Sequence, residues 1–204
     1  MYRDYSSSMK ADRTLCFFAL LMLAHAAWAQ EPGPYGGASI GQAYYKHTCD
    51  GAPAGITCNN NDTALRFFAG YQFKPRFAME LGLHTLGTAA AQGTGPATAT
   101  QTAEISAVDF LYAGSWALGN RYALITKLGF YVGKVAVEGP PLAGASRGWE
   151  SKRTTSIAYG LGASYALTDR ADFRFEWEHL GKFGTGNAPE LDVHLFSLGA
   201  LYRF

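Results

Sequence analysis

The sequence YGLGASYALTDRADFRFEWEHLGKFG, residues 159–184, decides the fold. In its second half, Phe173, Phe175 and Trp177 fall on one face of an extended chain, and the residues between them are charged. The first half alternates in the same way between bulky apolar residues and glycine, alanine or serine. The short segment TDR, residues 168–170, separates the two halves, as in a tight hairpin. The stretch therefore predicts two antiparallel strands, each with one bulky apolar face and one small or charged face.

The same alternation recurs along the chain after residue 30, without a helical period of comparable length. It predicts eight strands, at residues 35–47, 63–73, 77–86, 104–118, 121–134, 154–167, 171–180 and 191–204. Tight turns are predicted at 74–76, 119–121 and 168–170, and long loops at 48–62, 87–103, 135–153 and 181–190. Because short and long connections alternate, an up-and-down barrel would carry its short turns at one rim and its long loops at the other.

The polarity of the two faces separates a soluble protein from a membrane barrel. A soluble sandwich would bury the bulky faces, whereas a lipid-embedded barrel turns them outward and encloses the small and charged faces. Each predicted strand is long enough to supply the roughly 9–11 residues that a tilted spanning strand needs. Aromatic residues near the strand ends are typical of membrane girdles: Tyr35, Tyr44, Tyr45, Trp116, Tyr122, Tyr202 and Phe204. We therefore predict an all-β fold, an eight-stranded antiparallel up-and-down transmembrane β-barrel.

The N-terminal residues 1–29 have the features of a signal peptide. Basic residues precede an apolar run from about Leu15 to Ala29, which is short for a membrane-spanning helix of about 20 residues. Small residues at positions 27 and 29 predict cleavage between Ala29 and Gln30, which leaves 30–204 as the barrel domain; a retained anchor is the alternative. The net charge of +1 gives no basic excess that would indicate nucleic acid.

Two cysteines remain after this cleavage, Cys49 and Cys58, both in the first long loop. An even, closely spaced pair in an exported chain predicts one disulfide, which would stabilise the fold by about 2–3 kcal/mol. Two free thiols or part of a metal site are the alternatives, with only His47 close in sequence.

Four segments resemble the OmpA-like eight-stranded outer-membrane β-barrel family of Gram-negative bacteria: FFAGYQFKPRFAMELGLHTLG (67–87), TKLGFYV (126–132), residues 159–184 and SLGALYRF (197–204). The resemblance implies a barrel in contact with outer-membrane lipids and lipopolysaccharide, delivered by periplasmic chaperones and inserted by the barrel-assembly machinery. It covers the transmembrane domain alone, and we expect no peptidoglycan-binding domain. The ending, with Tyr202 and Phe204, resembles the signal that this machinery reads.

Charged residues of the lumen-facing parity are predicted to meet across the barrel. Eight strands enclose an interior that side chains can fill, and buried charges persist when they are paired. Glu80 and Arg174 each lie four residues after a short turn, on strands that face each other across the ring. A gate that opens by switching ion-pair partners is the alternative to a structural network. The predicted network comprises Glu80, Arg174, Lys127, Glu176 and Arg66, with Asp109, Asp172, Glu178 and Arg203 on the same face.

Candidate catalytic residues form no complete set. His84 and Asp109 are predicted to face the lumen near the outer rim, but Ser106 falls on the opposite parity, so no nucleophile is evident. His179 and His194 are predicted to face lipid near the outer strand ends. The serine that lipid A deacylases keep two residues after a histidine is absent, because Leu180 and Gly181 follow His179.

We therefore predict no enzyme activity, no cofactor and no metal site. The predicted role is structural, in the integrity of the outer membrane. A surface adhesin that binds a host or surface ligand through its long loops is the main alternative, since exposed loops on a rigid scaffold are frequent recognition sites. A small gated pore and a lipid-A-modifying enzyme are less favoured.

Overall fold

The computed structural model describes residues 32–46, 55–93, 100–139, 152–183 and 191–204. Eight of its strands form a closed antiparallel ring, and the short β2 pairs with the far end of β4. The predicted eight-stranded barrel is confirmed. Among the described residues, no helix is long and apolar enough to cross a membrane. The strands are β1 (Gly33–Lys46), β2 (Ile56–Asn59), β3 (Asn61–Lys74), β4 (Phe77–Gly93), β5 (Thr100–Ala117), β6 (Tyr122–Glu138), β7 (Lys152–Ala166), β8 (Ala171–Phe183) and β9 (Leu191–Arg203).

The pairing register sets the tilt of the strands. Cα partners followed from Tyr35 once around the ring lead back to β1 at Tyr45, ten residues further along. With strands about 4.8 Å apart and a rise of about 3.3 Å per residue, this stagger tilts the strands by about 40°. Such a tilt is typical of outer-membrane barrels.

The outward face of the ring is a belt of exposed apolar side chains. Exposure reaches 61% for Phe67, 61% for Leu128 and 64% for Leu198. A continuous apolar surface of this kind far exceeds the patch of a few hundred Å² that a soluble monomer tolerates. Lipid contact explains it, because a spanning barrel presents such a belt to the hydrocarbon.

The strands at the long-loop end extend further than the sequence predicts. β4 continues to Gly93 and β5 begins at Thr100, so the predicted loop 87–103 is largely a hairpin. β2 lies inside the predicted loop 48–62 and pairs with residues 90–93. A bulge at Gly87, with φ of 86°, lets β4 continue, and the Asp62 carboxylate accepts the Thr88 N–H at 2.7 Å beside it. The bulge shifts the alternation by one residue, which hides the extension in the sequence.

The prediction of a membrane girdle is wrong for two residues. Tyr35 and Tyr45 are 3% and 2% exposed and point into the lumen. The Tyr35 hydroxyl donates to Glu80 Oε1 at 2.9 Å, and the Tyr45 hydroxyl donates to the carbonyl oxygen of Leu86. The physical reason lies in the composition of β1, which carries glycine or alanine on both faces and so gives alternation little contrast.

Candidate functional site in the barrel lumen

The lumen of the described barrel is divided into three layers. A polar recess lies at the short-turn end, an ion network occupies the middle, and an apolar layer closes the long-loop end. The alternation of each strand positions these side chains, since every second residue points inward. On β8, for example, Asp172 lines the recess, Glu176 and Glu178 belong to the network, and Leu180 belongs to the apolar layer.

Glu80 is the centre of the ion network. Its carboxylate is fully buried and lies 2.6 Å from Arg174 Nη1, 3.1 Å from Lys127 Nζ and 3.3 Å from Arg66 Nη2. The Tyr35 hydroxyl is its fourth partner. The contact between Glu80 and Arg174 joins β4 to β8 across the lumen, which is the meeting expected from their equal distance to the short turns.

Lys127 joins the network to two further carboxylates. Its ammonium nitrogen lies 2.8 Å from Glu176 Oε1 and 2.9 Å from Glu178 Oε1, and both carboxylates are 2% exposed. All five residues predicted for the network therefore occupy one connected cluster, and Glu178 is added to it. The contact with Glu178 is a charge-assisted hydrogen bond, which is stronger than a neutral one, and the contact with Glu176 is an ion pair.

Arg66 connects the network to His84 and Asp109 on its long-loop side. Its Nε atom lies 3.2 Å from Asp109 Oδ2 and 3.2 Å from His84 Nε2, and His84 is in close contact with Asp109. The expected position of His84 and Asp109 near the outer rim is wrong. Both are almost fully buried, because Leu86 follows His84 along β4 and lies in the apolar layer. Ser106 does point outward, as predicted from its parity.

Phe68 is a lumen residue that the sequence analysis missed. It is 5% exposed, and its ring centroid lies 4.8 Å from Arg66 Cζ and 5.5 Å from Arg174 Cζ. Gly37 makes room for it, since a Cβ there would stand 2.4 Å from Phe68 Cζ. A cation over an aromatic face is attracted by the ring quadrupole. The sequence does indicate an inward position, because Phe68 has the same parity as the lumen-facing residues Arg66 and Gln72.

The apolar layer fills the lumen on the long-loop side of the charges. Tyr131 and Phe183 pack with ring centroids 4.9 Å apart, and a Cβ on Gly133 would stand 2.1 Å from the Phe183 ring. The layer thus occupies the space that the glycine leaves. Its larger members, each at most 2% exposed, include Tyr45, Leu86, Ile105, Tyr131, Leu180, Phe183, Val193 and Leu195.

The recess at the short-turn end is lined by apolar residues and by four charged ones, Arg76, Asp172, Arg174 and Arg203. Arg203 Nη1 donates to Asp172 Oδ1 at 3.0 Å, so these two residues of the lumen-facing parity lie apart from the central network. Ala113 and Ser164 also line the recess. They contribute no charge there.

A family model described as the outer membrane protein beta-barrel domain matches residues 14–204. The chain belongs to this family. The structure of OprG from Pseudomonas aeruginosa is similar to this barrel, with 16% identity over 86% of this chain and 97% of that chain, and a TM-score of 0.57. Neisserial surface protein A is similar at 15% identity over 84% and 97% of the two chains, with a TM-score of 0.54. No curated protein matches the sequence. At these identities the two structures support the fold alone.

The two aromatic residues of the predicted assembly signal lie outside the lumen of this outer membrane β-barrel. Tyr202 and Phe204 are 47% and 77% exposed at the short-turn end, with ring centroids 5.5 Å apart. Cys58 lies on β2, whereas Cys49 lies outside the described residues, so the disulfide stays a prediction. The cleavage site between Ala29 and Gln30 also lies outside them.

The lipid-facing histidines form a second cluster on this barrel. His179 and His194 are cross-strand partners on β8 and β9, and their rings lie 4.7 Å apart. Asp192 joins them, with Oδ1 2.6 Å from His179 Nε2. One potential ligand atom from each residue lies within 4.8 Å of the others, so these three residues could hold a metal ion.

Proposed function

We propose that this protein is a non-conducting structural element of the outer membrane that contributes to envelope integrity. The observation that carries the proposal is the filled lumen, in which an apolar layer lies directly over a paired ion network. A water path through the barrel would have to separate buried charges from their partners and also displace the apolar layer. Breaking a buried ion pair costs about 3–5 kcal/mol, which opposes such a path.

The proposal includes the absence of catalysis in the lumen. The His84 and Asp109 pair could orient a base, but it is enclosed between Arg66 and the apolar layer. Ser106, on the neighbouring strand, points away from the lumen. A substrate would therefore have no route to the pair and no adjacent serine to activate. The pair acts instead as part of the network.

Conductance in planar bilayers tests the closed lumen. The whole protein purified from outer membranes should be silent, and Leu81→Ala, on the lipid face beside Glu80, should be equally silent. Glu80→Ala tests the gate: a wild type and a Glu80→Ala variant that both remain silent exclude a gate that works by partner switching. Stable single-channel steps from the wild type would overturn the non-conducting proposal.

Envelope integrity is tested in cells. A strain that lacks the protein should become more sensitive to detergent, and expression of the wild type should restore resistance. Glu80→Ala should restore it in proportion to the amount of folded barrel, because the proposed role depends on the assembled structure and not on conduction. Unchanged resistance in the deletion strain would contradict the structural role.

Surface recognition is a second candidate function, supported by the extended strands. The outward face of β4 changes from Leu83 to Thr85, and that of β5 changes from Val108 to Ser106 and Glu104. The ends of both strands thus project past the apolar belt. Deleting residues 87–103 should remove binding to host cells if this projection is adhesive. Absence of binding by the wild type would exclude the candidate without affecting the structural role.

A further inference from the structure

The cluster of His179, His194 and Asp192 lies at the long-loop edge of the lipid-facing belt. Towards the short-turn end, the next outward residues of the same strands are Trp177 and Phe196, which are apolar. Imidazoles and a carboxylate in this position need a reason, because polar side chains that face lipid lose their water partners. The cluster is also set apart from the lumen network, since it lies on the opposite face of both strands.

Aromatic neighbours hold the two imidazoles in place. The His194 ring is stacked on Trp177 at an interplanar angle of 17° and a centroid distance of 6.0 Å. The His179 ring packs on Tyr159 with centroids 4.7 Å apart. Each imidazole therefore packs on an aromatic ring and also contacts the other imidazole. Ligands whose orientation is fixed before binding make a better metal site than mobile ones.

Hydrogen bonding leaves one ligand atom of the cluster unused. Nε2 of His194 is a buried atom without a hydrogen-bond partner, whereas Nε2 of His179 is bonded to Asp192. A buried polar atom without a partner is uncommon and calls for an explanation, such as an ion at the site. The third group, the Asp192 carboxylate, is already in contact with His179 through a single hydrogen bond.

We propose that His179, Asp192 and His194 bind a divalent transition-metal ion of the zinc class on the outer surface of the barrel. Two imidazoles with one carboxylate are a ligand set for Zn²⁺, whereas Ca²⁺ and Mg²⁺ prefer oxygen ligands. Ligand atoms around tetrahedral zinc, with bonds of about 2.0–2.2 Å, lie roughly 3.3 Å apart. The widest separation of 4.8 Å must therefore close, and the His179–Asp192 contact must open slightly.

The metal would take the place of the proton shared by His179 and Asp192. Ligands must be deprotonated to bind, so zinc binding should release protons and weaken as the pH falls. Three protein ligands leave one coordination position for an oxygen atom, either from water or from a lipid phosphate. Adding lipopolysaccharide to protein in a phosphate-free detergent distinguishes the two sources, because only a phosphate ligand would raise the zinc affinity.

Calorimetric titration of the metal-free protein tests the proposal. Protein without a histidine tag, purified from outer membranes and treated with a chelator, should bind one equivalent of Zn²⁺ and no Ca²⁺. Asp192→Asn and His194→Gln should each weaken binding by more than the roughly 10–100-fold lost when only an outer partner of a ligand is removed. Lys46 is the cross-strand partner of Asp192, so Lys46→Ala removes a competing positive charge and should tighten binding.

Two controls make the outcome decisive. His84→Gln removes a lumen histidine on the opposite face of the barrel wall and should leave zinc affinity unchanged, and a heat-modifiable band on gels verifies that each variant is folded. Cu²⁺ should quench the fluorescence of Trp177, and Trp177→Phe identifies that signal. The proposal is overturned if the wild type binds less than one equivalent, or if Asp192→Asn and His194→Gln bind Zn²⁺ as tightly as the wild type.

Discussion

Removing the charge of Glu80 should destabilise the barrel more than any comparable change at the short-turn end. Glu80→Gln keeps the size of the side chain but replaces an anion that contacts three cations. Lys127 keeps Glu176 and Glu178, and Arg66 keeps Asp109. Arg174 loses its contact at 2.6 Å and retains Glu176 at 3.7 Å. The uncompensated charge therefore falls mainly on Arg174.

The expected magnitude follows from burial. Removing one partner of a buried ion pair costs about 3–5 kcal/mol, and Glu80 is fully buried beneath the apolar layer. A glutamine oxygen can still accept a hydrogen bond, but its NH₂ group would face a cation. We expect a loss of about 3–5 kcal/mol in the free energy of unfolding. Asp172→Asn is the matched control, because Asp172 contacts a single cation, Arg203, whereas Glu80 contacts three, and we expect a loss of about 1 kcal/mol there.

Denaturant unfolding in phospholipid vesicles, followed by tryptophan fluorescence, measures both values. A double-mutant cycle with Arg174→Met should give a coupling of about 1–3 kcal/mol with Glu80→Gln, because the double variant no longer leaves an unpaired guanidinium. The slope of the unfolding curve should stay constant, which verifies that the unfolded state is unchanged. The reasoning is refuted if Glu80→Gln costs no more than Asp172→Asn, or if the cycle gives no coupling.

Three further predictions concern the rest of the barrel. Phe183→Ala leaves a cavity beside Tyr131 and should lower stability by about 3–5 kcal/mol in the same unfolding assay; an effect below about 1 kcal/mol would contradict tight packing of the apolar layer. Gly82→Ala would place a Cβ 2.6 Å from the Asp109 carboxylate and should cost about 1–3 kcal/mol in that assay, whereas an unchanged unfolding midpoint would show that the network can shift to admit a methyl group. Deleting Phe204 should slow the appearance of heat-modifiable barrel in outer-membrane fractions; normal assembly would refute its role as a signal.

The sequence predicts the centre of the lumen well because its residue types differ strongly between the two faces. On β8, aromatic residues alternate with charged ones, so the parity of Arg174 and Glu176 is unambiguous. Their depth can be counted from the turn at 168–170, and the same count from the turn at 74–76 places Glu80. Closure of an eight-stranded ring then brings Arg174 and Glu80 face to face.

The remaining features depend on contacts with neighbouring strands, and the alternation pattern of a single strand does not indicate these contacts. Tyr45 points inward because the register of β1 aligns it with the lumen, although a tyrosine near a strand end is typical of a girdle. Phe68 fits inside the lumen because Gly37 on β1 leaves space for its ring. The extension of β4 past Gly87 requires a bulge, which interrupts the alternation of period two that identifies a strand. The long-loop end was therefore predicted least well.

The order of the layers accounts for charges in the middle of a membrane protein. Near an open mouth, water would screen Arg174 and Glu80 and reduce their attraction to the small value of a surface pair. Beneath the apolar layer the same attraction acts in a medium of lower dielectric constant, where an unpaired charge is costly. The backbone ladder joins each strand to its two neighbours, whereas this contact joins β4 to β8 across the ring. The network therefore resists flattening of the barrel, a deformation that the ladder alone opposes weakly, and the apolar layer maintains the dry environment on which that resistance depends.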